Sequence, residues 1–118
     1  MAGVDTVIDE LRSALDARSV LAGEDVPDRP AWLGNAALGQ PAALLRPANT
    51  EEVSTALRIC HAHDQPVVAQ GGLTGLVRAT WANERTIALS LERMNAVEGL
   101  DAGNRTMTVQ AGVPLQIV

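Results

Sequence analysis

At 118 residues the chain amounts to at most one domain, able to bury about two-thirds of the surface its unfolded form exposes. A net charge of −5 without any lysine- or arginine-rich run makes nucleic acid and anionic membranes poor partners, and with no Phe or Tyr and only two Trp the core is aliphatic and base-stacking platforms are absent. One cysteine excludes an internal disulfide and fits a reducing compartment, and no apolar run approaches the roughly 20 residues of a membrane span.

The first element is a helix. Val4, Val7, Ile8, Leu11 and Leu15 recur at helical spacing on one face, with Asp5, Asp9, Glu10, Arg12 and Asp16 opposite. Its acidic start suits neither a secretory signal nor a mitochondrial presequence, so the chain reads as soluble and cytoplasmic. Residues 22–41 are rich in Gly, Pro, Asp and Asn and read as a surface excursion, with Trp32 pinning it to the core. Ala42 to Arg46 is a short buried strand that Pro47 ends. Asn49 or Thr50 caps the next helix; with Asn49 as cap, Glu52 stands at the third helical position and completes a box-like start. Val53, Ala56, Leu57 and Cys60 form its predicted buried stripe, and the helix runs out at His63-Asp64-Gln65. Pro66 to Ala69 is a second strand. Strand, helix and strand over residues 42–69 make a βαβ unit, so the two strands are expected parallel with a right-handed crossover.

From that second strand hangs Gln70-Gly71-Gly72-Leu73-Thr74-Gly75-Leu76, with three glycines in five positions and one hydroxyl. Such a loop lets backbone N–H groups converge on an anion, because glycine lacks the Cβ that would keep a phosphate away. Each N–H to a charged oxygen contributes about 1.5–3 kcal/mol, so three or four would anchor a diphosphate. Two common phosphate loops do not match. A Walker loop needs Lys-Ser/Thr where Leu76 and Val77 stand, and the Gly-x-Gly-x-x-Gly fingerprint from Gly71 needs glycine at Leu73 and Leu76. No periodic helix follows over 77–83, so the loop would act through its own amides, without a helix dipole. The alternative is a glycine-rich turn between two strands. Either way the loop lies at the C-terminal end of a parallel strand, where open α/β sheets bind ligands.

Thr86 to Leu91 reads as a strand buried on both faces. A hairpin follows, Val97 to Leu100 and Arg105 to Ala111, turning at Asp101-Ala102-Gly103-Asn104; Met107, Val109 and Ala111 alternate with Thr106, Thr108 and Gln110, the pattern of a half-buried strand. Pro114 is placed to be the first residue of a helix through Leu115-Gln116-Ile117-Val118, and one such turn is no stable end, so the domain is expected to continue. The fold class expected from these elements is α/β (α+β overall): a small parallel βαβ sheet flanked by helices, followed by the start of an antiparallel subdomain.

Taken in order, Arg46-Pro47, Thr50 to Val53, Pro66-Val67-Val68, Gln70 to Leu76, Leu89 to Asn95 and Val109 to Val113 resemble the start of a flavoprotein domain. The resemblance covers about residues 30–118 and is to the FAD-binding domain of the vanillyl-alcohol oxidase / p-cresol methylhydroxylase type. Within that family it is nearest to FAD-linked enzymes acting on 2-hydroxy acids: D-lactate and D-2-hydroxyglutarate dehydrogenases and the flavin subunit of glycolate oxidase. The resemblance implies a first part of the FAD-binding domain at 42–118, preceded by a helix and loop excursion at 1–41. It implies that Gln70, Gly71, Gly72, Leu73, Thr74, Gly75 and Leu76 hold the FAD diphosphate and that Gly112 and Val113 lie near the cofactor. The substrate, a small molecule, would reach the flavin through domains outside these residues, supplied by the rest of the flavoenzyme or by a partner subunit. Three departures stand out. Leu73 replaces an Asn usual in this branch, which loses a side-chain contact and excludes the histidyl flavin link that some relatives make there, so FAD is expected non-covalent at this loop. Arg78 and Ala79 replace small residues, and Arg78 could either crowd the cofactor or help hold a phosphate.

His61 and His63 lie off the buried stripe and point in different directions, and read as surface residues. Cys60 reads as a structural thiol. No catalytic residue and no metal cluster is expected here; the reactive chemistry would be the flavin's. Two readings of other classes stay open, a non-catalytic FAD- or nucleotide-binding subunit completed by a partner chain, and a small structural α/β module whose glycine loop is merely a turn.

Overall fold

The computed structural model describes residues 3–27, 39–73 and 79–118. Helix α1 (Val4–Ala14) buries Val7, Ile8 and Leu11 as its spacing requires, with Val4 and Leu15 at the margin. A 3₁₀ turn at Ala17–Ser19 leads into strand β1 (Val20–Ala22), then a second such turn at Gly23–Asp25. Strand β2 (Ala43–Leu45) is buried throughout and helix α2 spans Thr50–Ala62. Strands β3 (Val67–Gln70), β4 (Ile87–Ser90), β5 (Val97–Asp101) and β6 (Thr106–Val109) complete the set, with a last 3₁₀ turn at Leu115–Ile117.

The strands form a four-stranded sheet in the order β1-β2-β4-β3 and a two-stranded hairpin β5-β6. β2, β4 and β3 run parallel, as a βαβ chain predicts, and β1 is antiparallel to β2. Two features depart from expectation. Strand β4 lies between β2 and β3, so the strands flanking α2 are parallel without being neighbours. Strand β1 takes Ala22 out of the expected excursion: its three residues are too few to show a period, and pairing with β2 rather than local pattern makes them a strand. Being central, β4 is buried on both faces at every residue.

Helix α2 starts as predicted, with the Asn49 side chain accepting from the Glu52 N–H at 2.9 Å. Glu52 in turn reaches back one residue beyond the cap and accepts from the Ala48 N–H at 2.8 Å. Its buried stripe is turned from the expected one: Ala56 and Cys60 are buried and Val53 half-buried, but Leu57 is 45% exposed and Ile59 packs on the core instead. Burial pushes the Cys60 thiol pKa up, consistent with an inert structural cysteine. His61 is exposed and His63 half-buried, its Nε2 against the Glu10 carboxylate of α1, so one of the two histidines ties the helices together.

A polar strap crosses the sheet at its β1–β2 side. Arg93 Nη1 donates to Ser19 Oγ at 3.0 Å and to the Arg46 main-chain oxygen at 2.9 Å, and Ser19 Oγ donates to Glu52 Oε2 at 3.2 Å. Ser19 is fully buried, so these bonds lie where water competes poorly. They fix the connection leaving β4 against β1, β2 and α2.

The hairpin pairs Val97 with Val109 and Asp101 with Thr106, with a register shift between Val97 and Gly99. Its turn is closed by Asp101, whose carboxylate accepts from the Asn104 N–H and Nδ2. Met107 and Val109 are half-buried between exposed Thr106 and Thr108, as the alternation predicts, but Ala111 is exposed. Pro114 stands just outside the final turn rather than as its first residue. Among the described residues, no helix is long and apolar enough to cross a membrane.

Candidate functional site

Parallel strands bring their C-terminal ends to one edge of the sheet, so the chain leaving β3 and the chain leaving β4 emerge side by side. Gln70 faces Ser90 across the ladder, and the Leu91 N–H donates to the Gln70 main-chain oxygen at 3.1 Å, extending the pairing one step. The chain then turns, with the Met94 N–H donating to the Leu91 oxygen at 2.9 Å. Here the second hairpin strand is attached. The Gly112 N–H donates to the Met94 oxygen at 2.8 Å, the Gln110 N–H to the Ala96 oxygen at 2.9 Å, and the Gln110 side chain accepts from the Ala96 N–H at 2.9 Å. These bonds set Gly112 and Val113 opposite Gly71 and Gly72 across a hollow of about 400 Å³, with Glu92 and Asn95 also on its wall. That volume falls within the range of about 300–1,000 Å³ usual for small-molecule sites.

The glycines of the two walls differ. A Cβ on Gly71 or Gly72 would meet nothing within 4 Å, and neither residue has the positive φ that demands glycine. What the missing side chains preserve is access from the hollow to the main chain. Among the described residues, no main-chain hydrogen bond outside the strands uses the N–H of Gly71, Gly72 or Leu73. Gly112 is the opposite case, because a Cβ there would lie 1.8 Å from the Leu91 oxygen and 2.9 Å from the Met94 oxygen. Leu73 is half-buried with φ +62°, a left-handed conformation that costs a residue with a branched side chain about 1–2 kcal/mol. Thr74, Gly75 and Leu76 lie outside the described residues, as do Trp32 and Arg78. Gln70 is 1% exposed, and its side chain is directed at the Thr80 main-chain oxygen rather than into the hollow.

Among the described lining residues, Glu92 carries the only charge. An anion in the hollow would therefore be held by main-chain dipoles rather than by side-chain cations. The Glu92 carboxylate suits a hydrogen-bond donor on a ligand better than a phosphate. Glu92, Asn95, Ala111, Pro114 and Ile117 are lining residues that sequence reasoning did not assign to the site. The missing piece was the pairing of β4 beside β3, which brings the chain leaving β4 to the hollow. Arg93 between them points into the polar strap and holds that wall in place.

A second hollow of about 520 Å³ lies at the opposite end of the sheet, beside His63, Pro66 and Arg85, where β3 and β4 begin. Among the described residues, no group of three or more His, Cys, Asp or Glu side chains could hold a metal ion.

Comparison with known proteins places this geometry in context. The family profile described as an FAD binding domain matches residues 41–118. A D-2-hydroxyglutarate dehydrogenase of Xanthomonas citri pv. viticola is 42% identical over 78 residues, which is 66% of this chain and 16% of the relative. The glycolate oxidase subunit GlcD of Bacillus subtilis is 40% identical over 73 residues, 62% of this chain and 16% of the relative. The chain thus spans about a sixth of the length of these relatives. Among solved structures, p-cresol methylhydroxylase with substrate bound superposes with a TM-score of 0.73 at 24% identity, covering 93% of this chain and 22% of that one, which establishes a shared fold.

Proposed function

This chain belongs to the FAD binding domain family and its cofactor is FAD, and on that footing we propose that it supplies the diphosphate side of the flavin site in an oxidoreductase acting on a 2-hydroxy acid. The observation that carries the reading is the hollow at the C-terminal ends of β3 and β4, lined by Gly71 and Gly72, whose N–H groups are in no main-chain hydrogen bond outside the strands among the described residues, and by Gly112 and Val113. The residues present fit the group: the space over Gly71 and Gly72 is what a diphosphate needs, and their amides are the donors it needs. The amides of Gly71, Gly72 and Leu73 would hold its oxygens, and in this reading Thr74, Gly75 and Leu76 continue the cradle, with Gly112 and Val113 as the facing wall. FAD, when bound, supplies a two-electron acceptor for the hydride leaving the hydroxyl-bearing carbon, while the hydroxyl proton goes to a base outside these residues and a 2-oxo acid results. The substrate class is drawn from the relatives' names, D-2-hydroxyglutarate dehydrogenase and glycolate oxidase subunit. Substrate site, electron acceptor and catalytic side chains would come from the remainder of a larger flavoprotein or from a partner subunit, in the cytoplasm.

Gly72→Val in the full-length protein tests the assignment cleanly. A Cβ at Gly72 meets no atom of the described residues within 4 Å, so the fold should tolerate the substitution while the branched side chain intrudes on the diphosphate. The expected result is a protein that melts as the flavin-free wild type does and retains no FAD. A yellow, stoichiometrically loaded variant would rule the loop out.

A further inference from the structure

Gln70 ends β3 at the point where the glycine loop begins, and it is buried to 1% exposure. Its Nε2 donates to the main-chain oxygen of Thr80 at 2.8 Å, joining two points ten residues apart in the chain. Its own main-chain oxygen accepts from the Leu91 N–H at 3.1 Å, at the start of the segment that carries Glu92 and Asn95 to the hollow. One residue therefore ties together the entrance of the loop, its exit and the neighbouring wall. The remaining polar atom of the side chain, Oε1, is buried without a hydrogen-bond partner among the described residues. An aliphatic side chain would fill this position without leaving a buried acceptor bare, so packing alone does not account for a carboxamide here. The donor it provides to Thr80 does.

We propose that Gln70 is the positioning residue of the diphosphate site: it does not touch the ligand with its side chain but clasps the two ends of the glycine loop, so that the amides of Gly71 to Leu73 are held in place before the ligand arrives. This rests on the diphosphate reading of the hollow. Preorganised donors bind an anion without first being ordered, whereas donors on an unclasped loop must be ordered at the moment of binding, at a cost in affinity.

The test uses Gln70→Met, which keeps the volume and removes the donor, and Gln70→Glu, in which the donor depends on protonation. Flavin-free full-length protein is titrated with ADP as the diphosphate probe, and amide hydrogen exchange is followed at Leu91, whose N–H is bonded to the Gln70 main-chain oxygen. Gln70→Met should speed exchange at that amide and weaken ADP binding about tenfold, the effect of one lost hydrogen bond. Gln70→Glu carries the sharper signature. Burial raises the pKa of its carboxyl, so at pH 5 the protonated group donates to the Thr80 oxygen and affinity approaches that of the wild type. At pH 8 the carboxylate faces that oxygen with no proton between them, and affinity falls, with the wild type at each pH as reference. A flat ratio to wild type between pH 5 and pH 8, or unchanged exchange in Gln70→Met, overturns the clasp. If Gln70→Met does not fold, the pH profile of Gln70→Glu still decides. Faster exchange in Gln70→Met together with a wild type that binds no ADP would overturn the diphosphate reading and leave the clasp as a loop tie alone. Faster exchange with ADP affinity equal to wild type would overturn the positioning role.

Discussion

Replacing Gly112 by alanine should separate the hairpin from the sheet. The added Cβ would sit 1.8 Å from the Leu91 oxygen, 2.7 Å from the Leu91 carbonyl carbon and 2.9 Å from the Met94 oxygen. All three atoms are main chain, so no flexible side chain can swing aside, and the same displacement would stretch the 2.8 Å bond from the Gly112 N–H to the Met94 oxygen. Overpacking of this kind costs about 1–3 kcal/mol, and losing the hydrogen bond adds about 0.5–1.5 kcal/mol. Together these come to about 1.5–4.5 kcal/mol. At about 4 °C per kcal/mol this lowers the melting temperature by about 6–18 °C. The assay is thermal denaturation followed by far-ultraviolet circular dichroism, with Gly71→Ala as control. A Cβ at Gly71 meets nothing within 4 Å, so the control should melt as the wild type does. Equal melting of Gly112→Ala and the control would refute the claim that close backbone approach, rather than loop conformation, requires glycine at 112.

Two further substitutions test single contacts. Leu73→Asn relieves a left-handed φ of +62° with a residue that tolerates it, and Leu73 belongs to neither buried apolar cluster; stability should rise by about 0.5–1 kcal/mol in urea titrations, and a fall would mean that the side chain packs more than its backbone strains. Asn49→Ala removes the acceptor for the Glu52 N–H and should cost about 1 kcal/mol by the same measurement, with no loss expected only if the Glu52 contact to Ala48 suffices to hold the helix start.

How much of this was legible in the chain depends on whether the deciding interaction is local. The cap at Asn49, the Val7-Ile8-Leu11 stripe and the alternation at Met107 and Val109 are set by neighbours a few residues away, and pattern reading finds them. The insertion of β4 between β2 and β3 is decided by pairings between residues far apart in the chain, Ala43 with Ile87 and Val67 with Ile87, and no local period records that. Leu57 is exposed because the face of α2 turned to the sheet centres on Ala56, Ile59 and Cys60, a rotation that a stripe of apolar letters does not specify. At the site, the glycine loop announced itself by composition, whereas Glu92 and Asn95 became wall residues only once β4 was known to end beside β3.

The two glycine groups of the hollow look alike in the sequence and do different physical work. Gly71 and Gly72 leave space that no described residue fills, so substitutions there should act on whatever enters the hollow. At Gly112 a Cβ would run into the Leu91 and Met94 carbonyls, and the residue's N–H is committed to Met94, so its place on the wall offers a ligand no free amide donor. Its contribution is to let the hairpin approach the end of β4 closely enough for a wall to form at all. In the proposed site, ligand binding at Gly71 and Gly72 would be coupled to docking of the hairpin at Gly112 through one short segment, Leu91 to Asn95. That segment is bonded to Gln70 at its start, to Gly112 near its end and, through Arg93, to the strap at the β1–β2 side of the sheet. A ligand bridging the two walls would therefore stabilise the hairpin against the sheet, and anything that loosens Arg93 should weaken binding without touching the hollow.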